Sequence, residues 1–238
     1  MKRKTIKRII KKIDKRLGSN FLDQLKRIEK FWNNLVFLNV FYSKIGIVRL
    51  KCKMGFVKEK RIKLHLGCGN IKKEGYINID VVKTPATDLI WDITQKLPFQ
   101  DNSVERIESY HTLEHLPVCL MANINPSYGK KYESIVRLLK EWNRVLKSGG
   151  RLIIEVPDFD TLLQEYIKAD NGRKEELLTC IYGGFRNKNI YDIHRWGINR
   201  YRLTYILREA GFQKFEFQGT KDYHTKFCPC LRVDCIKD

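Results

Sequence analysis

Gly67, Cys68 and Gly69 follow directly on an alternating apolar run, Ile62, Leu64 and Leu66. Asp80 closes a second short extended run through Tyr76, Ile77 and Ile79. Glycines let the main chain approach a ligand closely. A carboxylate at the tip of the next strand can accept hydrogen bonds from two ribose hydroxyls. A strand, a glycine turn and such a carboxylate together make a nucleoside-binding edge.

What is missing narrows the ligand. A dinucleotide fingerprint needs a third glycine three residues after the second, and that place is Lys72. No G-x-x-x-x-G-K-[ST] phosphate loop occurs in the chain. The ribose half of the fingerprint stands without the pyrophosphate half. An adenosine ligand without phosphates, S-adenosylmethionine, suits this pattern better than NAD or ATP. A tight turn with no ligand accounts for G-x-G taken alone.

A second cluster, His111-Thr-Leu-Glu-His115, matches the H-x-x-E-H zinc signature in letters. Two histidines at i and i+4 can share a helix face and a metal. These two directly follow an expected strand and lack an evident third ligand, so no metal is expected. Cys228, Cys230 and Cys235 fall one short of a closed four-ligand zinc site. Cys235, in an expected final strand, reads as a small hydrophobe.

The elements that must position these groups follow from punctuation and periodicity. Strands are expected near 62–66, 76–80, 88–91, 104–109, 151–156, 213–218 and 231–236. Helical periods run over 131–146, 159–168 and 200–209. Strands alternating with helices imply a mainly parallel sheet covered on both faces. Residues 117–130 and 170–199 read as irregular insertions at the carboxyl ends of the strands, where ligands bind in open α/β sheets.

Charge separates the chain into two parts. Of 238 residues, 1–63 hold 20 Lys or Arg against 4 Asp or Glu, whereas 64–238 hold 26 against 23. The formal charge of +19 therefore belongs mainly to an N-terminal extension, residues 1–60, ahead of one α/β domain over 61–238. Ile6, Ile9, Ile10, Ile13 and Leu17 fall at helical spacing among lysines and arginines, which makes a basic amphipathic helix. The 31–50 stretch is interrupted by Asn33, Asn34, Asn39, Lys44 and Arg49, which is poor for a spanning helix. Three readings of the extension stay open: a stripe packed on the enzyme, an anionic membrane surface engaged through residues 1–45, or nucleic acid. The seven cysteines have no framework spacing and no secretory signal is evident, so the expectation is a cytoplasmic protein, peripheral at the inner face of the membrane.

From about Arg61 to the C-terminus the chain resembles the class I S-adenosylmethionine-dependent methyltransferases, and most of all their type 11 branch. LHLGCGN (64–70) is similar to the first motif of that family, and NID (78–80) to its acidic strand end. WDITQKLPFQDNSVERIESYHTLEHL (91–116), LLKEWNRVLKSGGRLIIEVPD (138–158) and LTYILREAGF (203–212) resemble its later blocks, in the right order. Ser148 stands where proline is usual and Glu105 where aspartate is common. The resemblance implies a three-layer Rossmann-like fold with a mainly parallel seven-stranded sheet and S-adenosyl-L-methionine as cofactor. It further implies that Leu66, Gly67, Cys68 and Gly69 border the methionine portion and ribose, and that Asp80 holds the ribose hydroxyls. Asp92 and Ile93 would flank the adenine, with Tyr110 and His111 under the methionine end.

The chemistry expected is in-line displacement of the activated methyl, which leaves a neutral thioether. If the nucleophile is a sugar hydroxyl, a base must take its proton. His111, His115, Asp158 and His194 are the candidates, and His194 is favoured because YGGFRNKNIYDIHRWG (182–197) reads as an aromatic, polar lid. That segment is also similar to relatives linked to bacterial surface polysaccharide synthesis. A small-molecule or carbohydrate acceptor, a sugar hydroxyl of a polysaccharide or glycolipid precursor, is therefore expected. The alternatives are a tRNA or rRNA methyltransferase, or a nucleoside-binding scaffold without turnover.

Overall fold

The computed structural model describes residues 61–120, 125, 127, 129–184, 190–220 and 227–238; the N-terminal extension lies outside them. Strands β1 (Ile62–Leu66), β2 (Ile77–Asp80), β3 (Leu89–Ile90), β4 (Val104–Tyr110), β5 (Leu146–Pro157), β6 (Lys214–Gln218) and β7 (Cys230–Ile236) form a seven-stranded sheet. Its order is β3-β2-β1-β4-β5-β7-β6, parallel except for β7, which runs antiparallel to both neighbours. This is the mixed α/β, Rossmann-like architecture expected.

Register sorts the sheet into two unlike faces, because side chains alternate along a strand. Leu64, Ile77, Ile107, Leu152 and Cys235 stand in one cross-strand row of an apolar face. The adjacent row, on the opposite face, holds His65, Asn78, Glu108, Ile153 and Asp234. On this polar face the buried Glu108 accepts from Lys73 Nζ, Arg106 Nε, Tyr76 Oη at 2.6 Å and Tyr110 Oη at 2.6 Å. Buried carboxylates persist only when so paired.

Helices α1 (Glu133–Val145), α2 (Phe159–Lys168), α3 (Asn171–Tyr182) and α4 (Arg200–Glu209) follow β4 in sequence. Among the described residues no helix links β1 to β2, β2 to β3 or β3 to β4, so strand and helix alternate only from β4 onward. In the first connection the short span between β1 and β2 leaves no room for a long helix, and Lys73 and Tyr76 from it reach Glu108 instead. Helix α1 buries Ile135, Leu138, Leu139, Trp142 and Val145, and it packs on α4, which buries Leu203, Ile206 and Leu207. Trp142 is fully enclosed, and truncating such a side chain costs about 3–5 kcal/mol.

Two boundaries differ from expectation. Strand β5 begins at Leu146 rather than 151, because the chain leaves α1 directly into pairing with Val104 before Gly149 and Gly150. The stretch 170–199 is not wholly irregular: 171–182 is helix α3. Asp170 caps it, accepting from Arg173 N at 2.8 Å, and Gly183 ends it at φ 82°. The apolar signal was weak because Leu177 is the helix's one buried residue; the cap and the glycine were the legible signs. No helix of the described residues is long and apolar enough to cross a membrane.

Candidate active site

Strand order reverses between β1 and β4, since the chain leaves β1 outward to β2 and β3 and then returns to the other side of β1. Crevices at such switch points, beyond the carboxyl ends of the strands, are where open α/β sheets bind ligands. The glycine turn and the Tyr110–His111–Thr112 segment are the carboxyl ends of these two strands.

The turn is held from below and bare above. Gly67 N and Cys68 N donate to Ile79 O at 2.9 and 3.1 Å, and Gly69 N donates to Asp80 Oδ2 at 2.8 Å. Gly67, at φ +70°, has Thr112 where a Cβ would stand, so the β4 end closes directly on the turn. Gly69, at φ +51°, has nothing within 4 Å of that position, which leaves open main chain for a ligand. Ser109 Oγ adds a bond to Leu66 O at 3.1 Å, pinning β4 to the last residue of β1.

Asp80 also accepts from Val82 N at 2.9 Å, so each carboxylate oxygen carries one main-chain bond. A carboxylate has about four lone-pair sites, so capacity remains for two hydroxyls. Cys68 is buried and its thiol is pushed up to about 11 by that burial, so it is a packing residue rather than a nucleophile. Asp92 is exposed and turns its Oδ1 to Thr94 N at 2.9 Å, while the neighbouring Ile93 is buried. Tyr110 Oη is occupied by Glu108 and lies 3.1 Å from Lys73 Nζ, which points the phenol across the polar face. Burial, then Glu108, raises its pKa.

Beyond β4 the structure gathers a group that the sequence only hinted at. His111 has the left-handed φ of 48°, sparsely populated by residues with a Cβ and a mark of functional segments. Residues 113–115 form a 3₁₀ turn, so His111 and His115 do not share an α-helical face. The turn instead buries Glu114, whose Oε1 lies 3.3 Å from His111 Nδ1. Burial works to raise the Glu114 carboxyl, but His111, His115 and His194 outweigh it and hold it below the usual range.

The late segment is strapped onto this turn. Arg195 N donates to Glu114 O at 2.7 Å, Trp196 Nε1 to Leu113 O at 2.9 Å, and His115 Nδ1 lies 3.2 Å from Ile193 O. His194 thereby meets His115 edge-on, ring centroids 4.7 Å apart, and burial keeps its pKa below the ordinary 6.5. Asp158 stands apart from the cluster in its bonding: it is the N-cap residue of α2, and its Oδ2 accepts from Thr161 Oγ1 at 2.8 Å. Cys230 Sγ lies 3.6 Å from His111 Nε2, and Cys235 is buried in β7. Thr112, Glu114 and Trp196 are site residues that sequence reasoning did not single out, and Cys230 was weighed there only as a zinc ligand; among the first three Glu114 alone had a signal, its place within H-x-x-E-H.

A family model described as a methyltransferase domain matches residues 70–154, from the end of the glycine turn into β5. No curated protein matches the chain. Among solved structures the chain is similar to a SAM-dependent methyltransferase of Thermotoga maritima, described as a possible histamine N-methyltransferase. Identity is 19%, coverage 92% of this chain and 97% of that one, and the TM-score 0.44. A SAM-dependent methyltransferase of Archaeoglobus fulgidus is 18% identical over 82% of this chain and 94% of its own, with a TM-score of 0.46. One of Methanosarcina mazei is 16% identical over 78% and 96%, also at 0.46. Likenesses of this order decide nothing about chemistry.

The matched stretch lies in a seven-stranded sheet with its glycine turn at the switch point, so residues 70–154 are similar to a methyltransferase domain in a Rossmann-like setting. Methyl transfer with S-adenosyl-L-methionine as donor is the activity that such a domain supports.

Proposed function

We propose that the acceptor is a carbohydrate, methylated on a hydroxyl of a polysaccharide or glycolipid precursor. The observation that carries this reading is the Glu114–His111 pair beside the glycine turn, 3.3 Å apart. A hydroxyl must lose its proton at or after attack, and a histidine oriented by a buried carboxylate is built to take one. His111 is the better base than His194, because Thr112, next in sequence, packs on Gly67. His194 faces Glu114 and His115 instead.

S-adenosylmethionine supplies an activated methyl whose departure needs no protonation. Leu66, Gly67, Cys68, Gly69, Asp80, Asp92, Ile93 and Tyr110 are the residues we assign to holding it. Gly69 offers bare main chain and Asp80 the lone pairs for ribose. Alignment and closeness of this kind are worth about 7–11 kcal/mol at best in well-oriented reactions. As the hydroxyl attacks, His111 holds the proton, and its Nδ1 edge faces the Glu114 carboxylate, which steadies the imidazolium.

The basic extension is assigned to an anionic membrane surface, engaged through residues 1–45, where each lysine or arginine contributes about 1 kcal/mol. Sedimentation with anionic vesicles, with and without residues 1–60, tests that part. Acceptor class is tested by label transfer from methyl-labelled donor to nucleotide sugars, isolated glycolipids, amines, and transfer or ribosomal RNA. Label in a methyl ether of sugar supports the reading. Label in RNA or amine overturns it.

A further inference from the structure

We propose that Glu114, His115 and His194 form a binding site for one divalent transition-metal ion of the zinc class. Their ligand atoms lie within 4.8 Å of one another, and bonds of about 2.0–2.2 Å draw such atoms closer by side-chain rotation. Two imidazoles and one carboxylate, with positions left over, suit zinc or its neighbours rather than calcium or magnesium, which take all-oxygen sets.

The second and independent observation is Glu114 itself. It is 2% exposed, and neither carboxylate oxygen has an aligned hydrogen-bond donor. His111 Nδ1 approaches Oε1 at 3.3 Å, and a carboxylate oxygen lies within 4.8 Å of a ring nitrogen of both other histidines. A buried carboxylate whose one close partner is a histidine is costly unless further positive charge completes it.

His115 is also prepared as a ligand. His115 Nδ1 is 3.2 Å from the Ile193 carbonyl, which fixes the tautomer with the lone pair on Nε2. Metal-bound imidazoles almost always tie their other nitrogen in this way. The ring of His194 is held edge-on against that of His115, centroids 4.7 Å apart. A small cavity, about 10 Å³, adjoins two of the three ligands, Glu114 and His194, and leaves space for a water beside them. The site goes beyond the acceptor assignment and does not depend on it, because binding can be read without turnover.

The experiment uses the full-length, tag-free chain, stripped with chelator and titrated with Zn²⁺ by calorimetry and with Co²⁺ by visible absorption. One ion per chain is expected, with an intense low-coordinate Co²⁺ spectrum. His194→Ala and His115→Ala should each weaken binding at least tenfold, while His111→Ala and Cys230→Ser bind within threefold of the parent. Far-UV circular dichroism on every variant checks that each is folded. If His194→Ala does not fold, Glu114→Gln supplies the ligand test in its place, with the same tenfold loss expected. Absence of stoichiometric binding, or loss of binding in His111→Ala or Cys230→Ser with retention in His194→Ala, overturns the proposal.

Discussion

The ring of His194 stands edge-on to that of His115, centroids 4.7 Å apart and planes at 72°. Nothing in the local sequence of either brings this about. Three bonds do, running from Ile193, Arg195 and Trp196 to the turn that carries Leu113, Glu114 and His115. The strap suggests a first test. Trp196→Phe removes the donor to Leu113 O at a cost of about 1 kcal/mol and loosens the strap. Turnover should fall severalfold with affinity for the methyl donor unchanged, since the glycine turn is built on other bonds. Steady-state kinetics beside calorimetry would separate the two, and equal losses in both would refute it.

Gly67→Ala should be far more damaging than Gly69→Ala. At 67 a methyl meets Thr112 at a positive φ, whereas at 69 the methyl has space but the backbone is still left-handed. Expected losses of stability are about 2–3 kcal/mol at 67 and about 1 kcal/mol at 69. Denaturant melts of both variants measure this. Gly69→Ala should nevertheless lose donor affinity, because its methyl fills the open approach.

Asp80→Ala removes acceptors from Gly69 N and Val82 N and, by our assignment, from ribose. Donor affinity should drop by about 1–3 kcal/mol, roughly 5- to 150-fold. Asp80→Asn keeps an acceptor and should fall between. Calorimetry with the thioether product gives the numbers, and unchanged affinity in the alanine variant would remove Asp80 from the role.

Acid should unfold the domain partly through Glu108. Burial alone would raise this carboxyl, but Lys73, Tyr110 and Tyr76 outweigh it and bring the pKa from 4.5 to about 2. A depressed folded-state value means the unfolded chain binds the proton more readily. The contribution is therefore complete above about pH 4.5 and disappears as pH falls toward 2. Glu108→Gln should be less stable at pH 7 by about 1–3 kcal/mol, and the gap should narrow across that window. Melts at a series of pH values decide it.

Thiol labelling at pH 8 should separate Cys119 from Cys68. Cys119 is exposed, whereas Cys68 is buried and raised to about 11. Peptide mass spectrometry after brief alkylation should find Cys119 modified and Cys68 protected until denaturant is added.

Much of this was legible in the chain alone. Alternation in Ile62–Leu66, the glycines after it and Asp80 at the next strand end are local patterns, and local patterns report local backbone. The helix over 159–168 and that over 200–209 were bounded correctly for the same reason. Helix α3 was not, because a helix with one buried leucine shows almost no apolar period. The absence of a helix between β1 and β2 was equally hidden, since its place on the sheet is taken by two side chains, Lys73 and Tyr76, whose partner Glu108 lies three strands on in sequence.

Residue types and spacing by themselves marked out most of the strands and the glycine turn that ends at Asp80, since strand alternation and turn glycines are local features. Only the folded chain decided that Thr112 closes on Gly67 and that Glu114 turns inward. It alone decided that His194 faces His115 while Asp158 is spent at the start of α2. Those arrangements join segments far apart along the chain. Their energy comes from burial and from bonds between distant main-chain groups, which no short window of sequence contains.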